Sequence, residues 1–239
     1  MPKKSCDWST LTKTSIINHL QEIKPVMTGS RLTTKDNYQI LANNIRKLAP
    51  VRVCQKKNYN VSQGTIVISG QYNFDWDQDN HKCIILNLLY CPFDKTVKFK
   101  KDFFDYLCSE IADTILHEVI HMRQHRRRNF HLSRDYHSKD ENPYKRREQR
   151  YLGNRDEIDA YGFNIACEIY ERFRGNKRLI DQYLRCHRPR KHCLYKYYLY
   201  IFNYDHEHPV IQKLKRKITS YLPLAEIGKP YKDNTWIWC

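Results

Sequence analysis

Apolar residues recur at helical spacing in two early stretches of the chain. Within residues 9–23, Leu11, Ile16, Ile17, Leu20 and Ile23 follow a period near 3.6 behind Ser and Thr capping candidates, and Pro25 comes after them; this predicts a short helix. Residues 36–48 repeat the pattern through Tyr38, Leu41, Ile45 and Leu48, ahead of Pro50. The texture then changes, and runs rich in β-branched residues at 51–54, 65–69 and 83–89 predict three strands. Between the last two, residues 75–80 (Asp-Trp-Asp-Gln-Asp-Asn) predict a solvated acidic turn, because the glycine and closing glutamate of a calcium loop are missing. Helical spacing returns over 101–125 through Phe103, Phe104, Leu107, Ile111, Ile115 and Leu116. It returns again over 156–173 through Ile158, Tyr161, Ile165, Ile169 and Phe173, where Gly175 can end the helix. The polar, basic stretch 126–150 between them predicts a long loop. Residues 179–186, 194–202 and 210–222 predict further short helices, with a tail from 223 onward. Helices, then strands, then helices indicate an α+β fold in which helices are segregated from a small mixed or antiparallel sheet.

Composition narrows the class. With 239 residues, 41% hydrophobic and 28% charged, the chain can bury a sizeable core and is too apolar for a disordered segment. The longest strongly apolar run, 83–90, is broken by Asn87 and falls well short of the roughly 20 residues that cross a bilayer. Met1-Pro2-Lys3-Lys4 is basic, but polar residues follow where a secretory signal needs its apolar region, which predicts a cytoplasmic protein. The nine cysteines are odd in number and include no C-x-x-C, so free thiols in a reducing compartment are expected. Lys and Arg number 42 against 26 Asp and Glu, a net charge of +16 that attracts polyanions: nucleic acid, an anionic surface or an acidic protein.

One motif carries chemistry. His117-Glu118-Val119-Ile120-His121 is an H-E-x-x-H inside the helix predicted over 101–125. Residues four apart share a helix face about 6 Å apart along the axis, so two imidazoles can converge on one zinc ion while Glu118 reaches water in the site. A catalytic zinc site takes three protein donors and leaves one position open, so a third donor is needed. His125 lies about 12 Å along the axis from His117, too far for a straight helix to bring both to one ion. Glu157, at the start of the next long helix and 36 residues after His121, is a better source. Ala160, Gly162 and Ala166 would let its helix pack closely on the first. Glu157 could instead serve as an N-terminal carboxylate complementing its own helix dipole.

With H-E-x-x-H at His117, Glu118 and His121, and E-x-x-A-x-x-F at Glu157, Ala160 and Phe163, the chain resembles the zincin metallopeptidases. Within these it is most similar to the gluzincin type, and the second motif is also similar to the ImmA/IrrE group. The resemblance covers roughly residues 65–170. It implies a zincin-like fold, with the small sheet packed on the H-E-x-x-H helix and additional C-terminal helices. It also implies a zinc-dependent endopeptidase acting on protein or peptide substrates, with zinc on His117, His121 and Glu157 and with Glu118 as general base. Tyr161 stands where many gluzincins carry an Asp. A second resemblance is to the SprT and Spartan proteases, which take a third His from a later loop; it makes His137 the alternative third ligand, with His131 a weaker one, and implies action on proteins attached to DNA. Tyr161, Tyr151 and His137 are the candidates for an oxyanion donor.

Residues 121–155 hold 11 Lys and Arg against 4 Asp and Glu, including Arg126, Arg127, Arg128, Lys145, Arg146 and Arg147. With Phe130, Tyr136, Tyr144 and Tyr151 interleaved, they are candidates for gripping nucleic acid, or else an acidic peptide. The run from Cys186 to Cys193 lacks a zinc-knuckle spacing. A catalytic domain over 1–175, including the N-terminal helices, and a helical extension over 176–239 packed on it complete the expected organisation. The rival function, from a different class, is a nucleic-acid-binding or structural assembly protein that keeps a zincin fold.

Overall fold

The computed structural model describes residues 11–29, 31–48, 51–79, 81–131, 133, 135–189 and 193–225. Ser9, Pro50, Asn80, Cys6, Cys239, residues 190–192 and the tail beyond 225, all of which enter the sequence reading, lie outside the described residues. The chain is a mixed α+β protein that divides into two units, residues 1–130 and 131–239. Among the described residues, no helix is long and apolar enough to cross a membrane.

The first unit runs α1 (Lys13–Gln21), α2 (Lys24–Gly29), β1 (Leu32–Thr33), α3 (Thr34–Leu48), β2 (Arg52–Lys57), β3 (Ile66–Tyr72), α4 (Phe74–Gln78), β4 (Ile84–Tyr90), β5 (Thr96–Val97) and α5 (Lys101–Arg127). Its main sheet has the order β2-β4-β3, with β2 parallel and β3 antiparallel to β4. The central strand pairs Leu86 with Val53 on one side and Gly70 on the other. Ile84, Leu86 and Leu88 on one face are fully buried and Ile85, Asn87 and Leu89 on the other are buried or half-buried, so both faces are covered and the strand reads as a nearly continuous apolar run instead of an alternating one. The two-residue strands β1 and β5 pair separately.

Helix α5 spans 27 residues and is the spine of this unit, packing on β3, β4, α1 and α2. Phe104, Leu107, Ile111 and Ile115 form its buried stripe. On a neighbouring stripe, Asp105 and Asp113 are clasped by Lys24 at 2.6 Å and Lys13 at 3.1 Å. Residues 75–78 of the acidic stretch lie in α4, and the expected solvated turn holds only in part: Asp75, Gln78 and Asp79 are exposed, but Asp77 is buried, accepts from the Tyr72 hydroxyl at 2.9 Å, and pairs with Arg126 at 2.5 and 2.9 Å. A carboxylate can be buried there because a guanidinium 49 positions away supplies two charge-assisted bonds, a partner that no local reading contains. Burial, then the neighbouring Asp77, pushes the Cys83 thiol up to about 12, so it stays protonated and packs as a small hydrophobe. The seven described cysteines are all free thiols.

The second unit is helical: α6 (Pro143–Leu152), α7 (Arg155–Phe173), α8 (Lys177–Arg185), α9 (Leu194–Ile201) and α10 (Pro209–Ala225). The loop expected over 126–150 is therefore shorter, since α5 continues to Arg127 and α6 begins at Pro143. Asn142 caps α6, its side-chain oxygen accepting from the backbone N–H groups of Tyr144 and Lys145, and Pro143 occupies the first turn. The aromatic run 194–202 is core: Tyr195, Tyr198, Leu199 and Phe202 are buried at helical spacing, with the Tyr195 and Tyr198 hydroxyls donating to the carbonyls of Leu184 and Leu152. Helix α10 passes Pro223 to end at Ala225, where a last-turn proline costs one backbone bond.

The division between units falls at 130/131, where the sequence reading drew it at 175/176. The reason is α7: its Ile158, Ile165, Ile169 and Phe173 share one core with Ile180 and Leu184 of α8, with α9, and with Ile211, Leu214 and Ile218 of α10. Gly162, expected to admit the H-E-x-x-H helix, packs on α10 instead, where an added Cβ would stand 2.8 Å from the Cβ of Lys217.

Candidate metal centre

In the first unit, α5 holds His117 and His121 one turn apart with their Nε2 atoms 3.0 Å from each other. Two nitrogens each about 2.0–2.1 Å from one tetrahedral ion lie roughly 3.3 Å apart, so a few tenths of an ångström separate this pair from a chelating one. The Nδ1 of His121 lies 2.9 Å from the Oε1 of Gln124, which is buried. A carboxamide oxygen only accepts, so Nδ1 carries the proton and Nε2 keeps its lone pair for a metal. The sequence reading overlooked Gln124; its position three residues after His121 on the same helix was the available signal. His125 turns away to pack against Tyr72 and Phe74, with ring centroids 5.2 and 6.0 Å away.

Glu118 is buried on the side of α5 that meets β3. A Cβ added to Gly70 would lie 2.6 Å from both the Oε1 of Glu118 and the Cγ2 of Thr114. The glycine thus creates the space that the carboxylate occupies, and strand β3 is an edge of the sheet among the described residues. The sequence reading ended this strand at 69 and overlooked Gly70; a glycine next to a β-rich run was the available signal of close backbone approach. Gly70→Ala is expected to displace the Glu118 carboxylate and strain the β3–α5 contact, costing about 1–3 kcal/mol by overpacking. A lower melting temperature of the variant would check it.

In the second unit, Asn154 caps α7 by accepting from the N–H of Asp156, and Glu157 occupies the third helical position. The hydroxyls of Tyr151 and Tyr161, the two tyrosines named as oxyanion candidates, are 3.5 Å apart. Burial, with Tyr161 and then Glu157 beside it, pushes the Tyr151 hydroxyl well above the usual tyrosine range and keeps it protonated. His137 is exposed and lines a cavity of about 630 Å³ together with Glu157, Tyr151 and Arg150.

The basic residues singled out in sequence have varied fates. Arg126 is held by Asp77, the buried carboxylate that needed a partner, while its own side chain stays about half exposed. Arg146 donates to the carbonyls of Asp140 and Glu141, at 2.6 and 3.2 Å, and ties down the turn before α6. Lys145 donates to the side chain of Asn203, and Arg147 lies over the Tyr144 ring. Arg127 is exposed and Arg128 half-buried. At the far end of the unit, Cys193 caps α9 by accepting from the N–H of Lys196 at 3.3 Å. Compared with protein-family models, curated proteins and solved structures, the chain matches none of them.

Proposed function

We propose that this chain is a zinc-dependent endopeptidase of the zincin type, with zinc held by His117, His121 and Glu157. The observation that carries the reading is the disposition of α5: two imidazole Nε2 atoms 3.0 Å apart, one ring oriented by Gln124, with a buried carboxylate between them in sequence. Glu157, at the third position of α7, is the third donor in this reading. Imidazole nitrogen and carboxylate oxygen are donors that zinc accepts, and three of them leave one position open. The chemistry that zinc supplies there when bound is Lewis acidity toward oxygen.

The protein's own groups do the rest. Glu118 takes the proton from the attacking water and returns it to the departing amine, a general-base and then general-acid role that needs a carboxylate free to shuttle one proton. Gln124 keeps His121 in one tautomer throughout. The Tyr151 hydroxyl serves as hydrogen-bond donor to the oxyanion that develops on the peptide carbonyl. The free edge of β3, beside Glu118, offers backbone donors and acceptors to an extended peptide. A second reading, with His137 in place of Glu157, draws on the fact that both side chains line one cavity.

The experiment is a metal and activity assay on one preparation. Purified protein should carry about one zinc per chain and cleave an unfolded polypeptide; a chelator should stop cleavage, and added zinc should restore it. Protein that folds without zinc and shows no cleavage after zinc is added would overturn the proposal.

A further inference from the structure

The second unit carries two neighbouring recesses that share Asp135 and Tyr136 in their walls. One, of about 630 Å³, is lined by Arg146, Arg147 and Arg150 from α6. The other, of about 710 Å³, is lined by Arg155 at the start of α7 and by Lys213, Arg216, Lys217 and Ser220 of α10. On α10 these four positions follow helical spacing, so they form one stripe about 10 Å long. Seven cationic side chains therefore face a continuous concave track, against the two carboxylates of Asp135 and Glu157. Lys217 is matched to Asp159 at 2.6 Å and Arg146 is engaged by backbone carbonyls. Arg150, Lys213 and Arg216 are exposed, and their side chains enter no ion pair among the described residues.

We propose that this track binds the phosphate backbone of single-stranded nucleic acid. A lone acidic side chain would fill one recess and leave the other cationic wall unmatched, whereas a strand of phosphodiesters supplies a negative charge at every unit along both. Recessed walls suit a flexible single strand better than a rigid duplex. Tyr151, about half-exposed at 47% in the first recess, offers a ring on which a base can stack. The sequence reading placed polyanion contacts at 126–128 and 145–147; the track includes Arg146 and Arg147 of these and adds Arg150, Arg155 and α10, which are scattered in sequence and brought together by the packing of α10 on α7.

The test is fluorescence anisotropy with a labelled single-stranded DNA of about 16 nucleotides, the upper site size for one small binding domain. Arg150→Glu/Arg216→Glu should weaken binding about tenfold or more and flatten the salt dependence by about 1.4 in log–log slope, two phosphate contacts at about 0.7 each. Lys177→Glu/Arg178→Glu, which makes the same charge change on the exposed start of α8, should leave affinity within about twofold. The milder Arg150→Gln/Arg216→Gln should fall between wild type and the charge reversal, which guards against misfolding. Equal losses in both charge-reversed proteins would mean diffuse attraction and would overturn the site. Polyglutamate competing as well as DNA at equal charge would overturn nucleic acid as the ligand and assign the track to acidic protein. The measurement reads binding without turnover, so it stands or falls separately from the zinc assay.

Discussion

Glu118→Gln should abolish peptide hydrolysis while leaving zinc in place. The substitution keeps shape and volume at a buried position where Gly70 leaves only enough room for the native side chain, so packing against β3 is preserved. What it removes is a group able to accept a proton, and a positioned general base contributes roughly 10²–10⁴-fold to rate. The turnover number should fall by that factor, with zinc stoichiometry and melting temperature near wild type. Measuring all three on one preparation separates the outcomes. Full activity would remove Glu118 from the chemistry, and loss of zinc would make it a ligand in place of a base.

The second large effect concerns the third donor. Glu157→Ala should lower zinc affinity by at least about 100-fold, more than the 10–100-fold that follows when only a supporting partner of a ligand is changed. His137→Ala should retain the metal. Competition with a chromophoric chelator reads both. If the exposed His137 is the donor, the pattern inverts, and Glu157→Ala then costs no more than about 1 kcal/mol as a lost carboxylate near a helix N-terminus. The stability of the metal-free proteins, measured alongside, keeps the two explanations apart.

Much of this architecture was legible in sequence because it rests on local periodicity. The apolar positions of α3, α5 and α7 repeat at helical spacing, and β4 is a continuous apolar run, so their existence and order follow from the pattern alone. Helix α6 was hidden because only Gln149 and Leu152 of its ten residues are buried, too few to set a period, although Asn142-Pro143 marks its start. Strands β1 and β5 are two residues each and have no period to detect. Asp77 looked solvated because its partner Arg126 is remote in sequence, and the same remoteness hid the basic track. In the candidate site, histidine and glutamate spacing was readable from helix geometry, whereas Gln124 and Gly70 act through one hydrogen bond and one absent Cβ. Such roles are set by three-dimensional contact and leave only faint local marks.

The lysines of α1 and α2 bear on how far the chain can be trimmed. Asp105 and Asp113 sit eight residues apart on α5, and Asp113 is one turn before His117, so the carboxylates clasped by Lys24 and Lys13 lie on the helix that carries both histidines. A fragment beginning at β1 would keep every residue of the H-E-x-x-H motif and yet strip that helix of two counter-charges. Breaking a buried pair by removing one partner costs about 3–5 kcal/mol, less where the partners are partly exposed as Lys24, Asp105 and Asp113 are, against a total stability of about 5–15 kcal/mol. Helices α1 and α2 are thus part of the smallest autonomous piece of the unit that carries the H-E-x-x-H motif, and a minimal version designed around the motif would have to carry them or replace both aspartates.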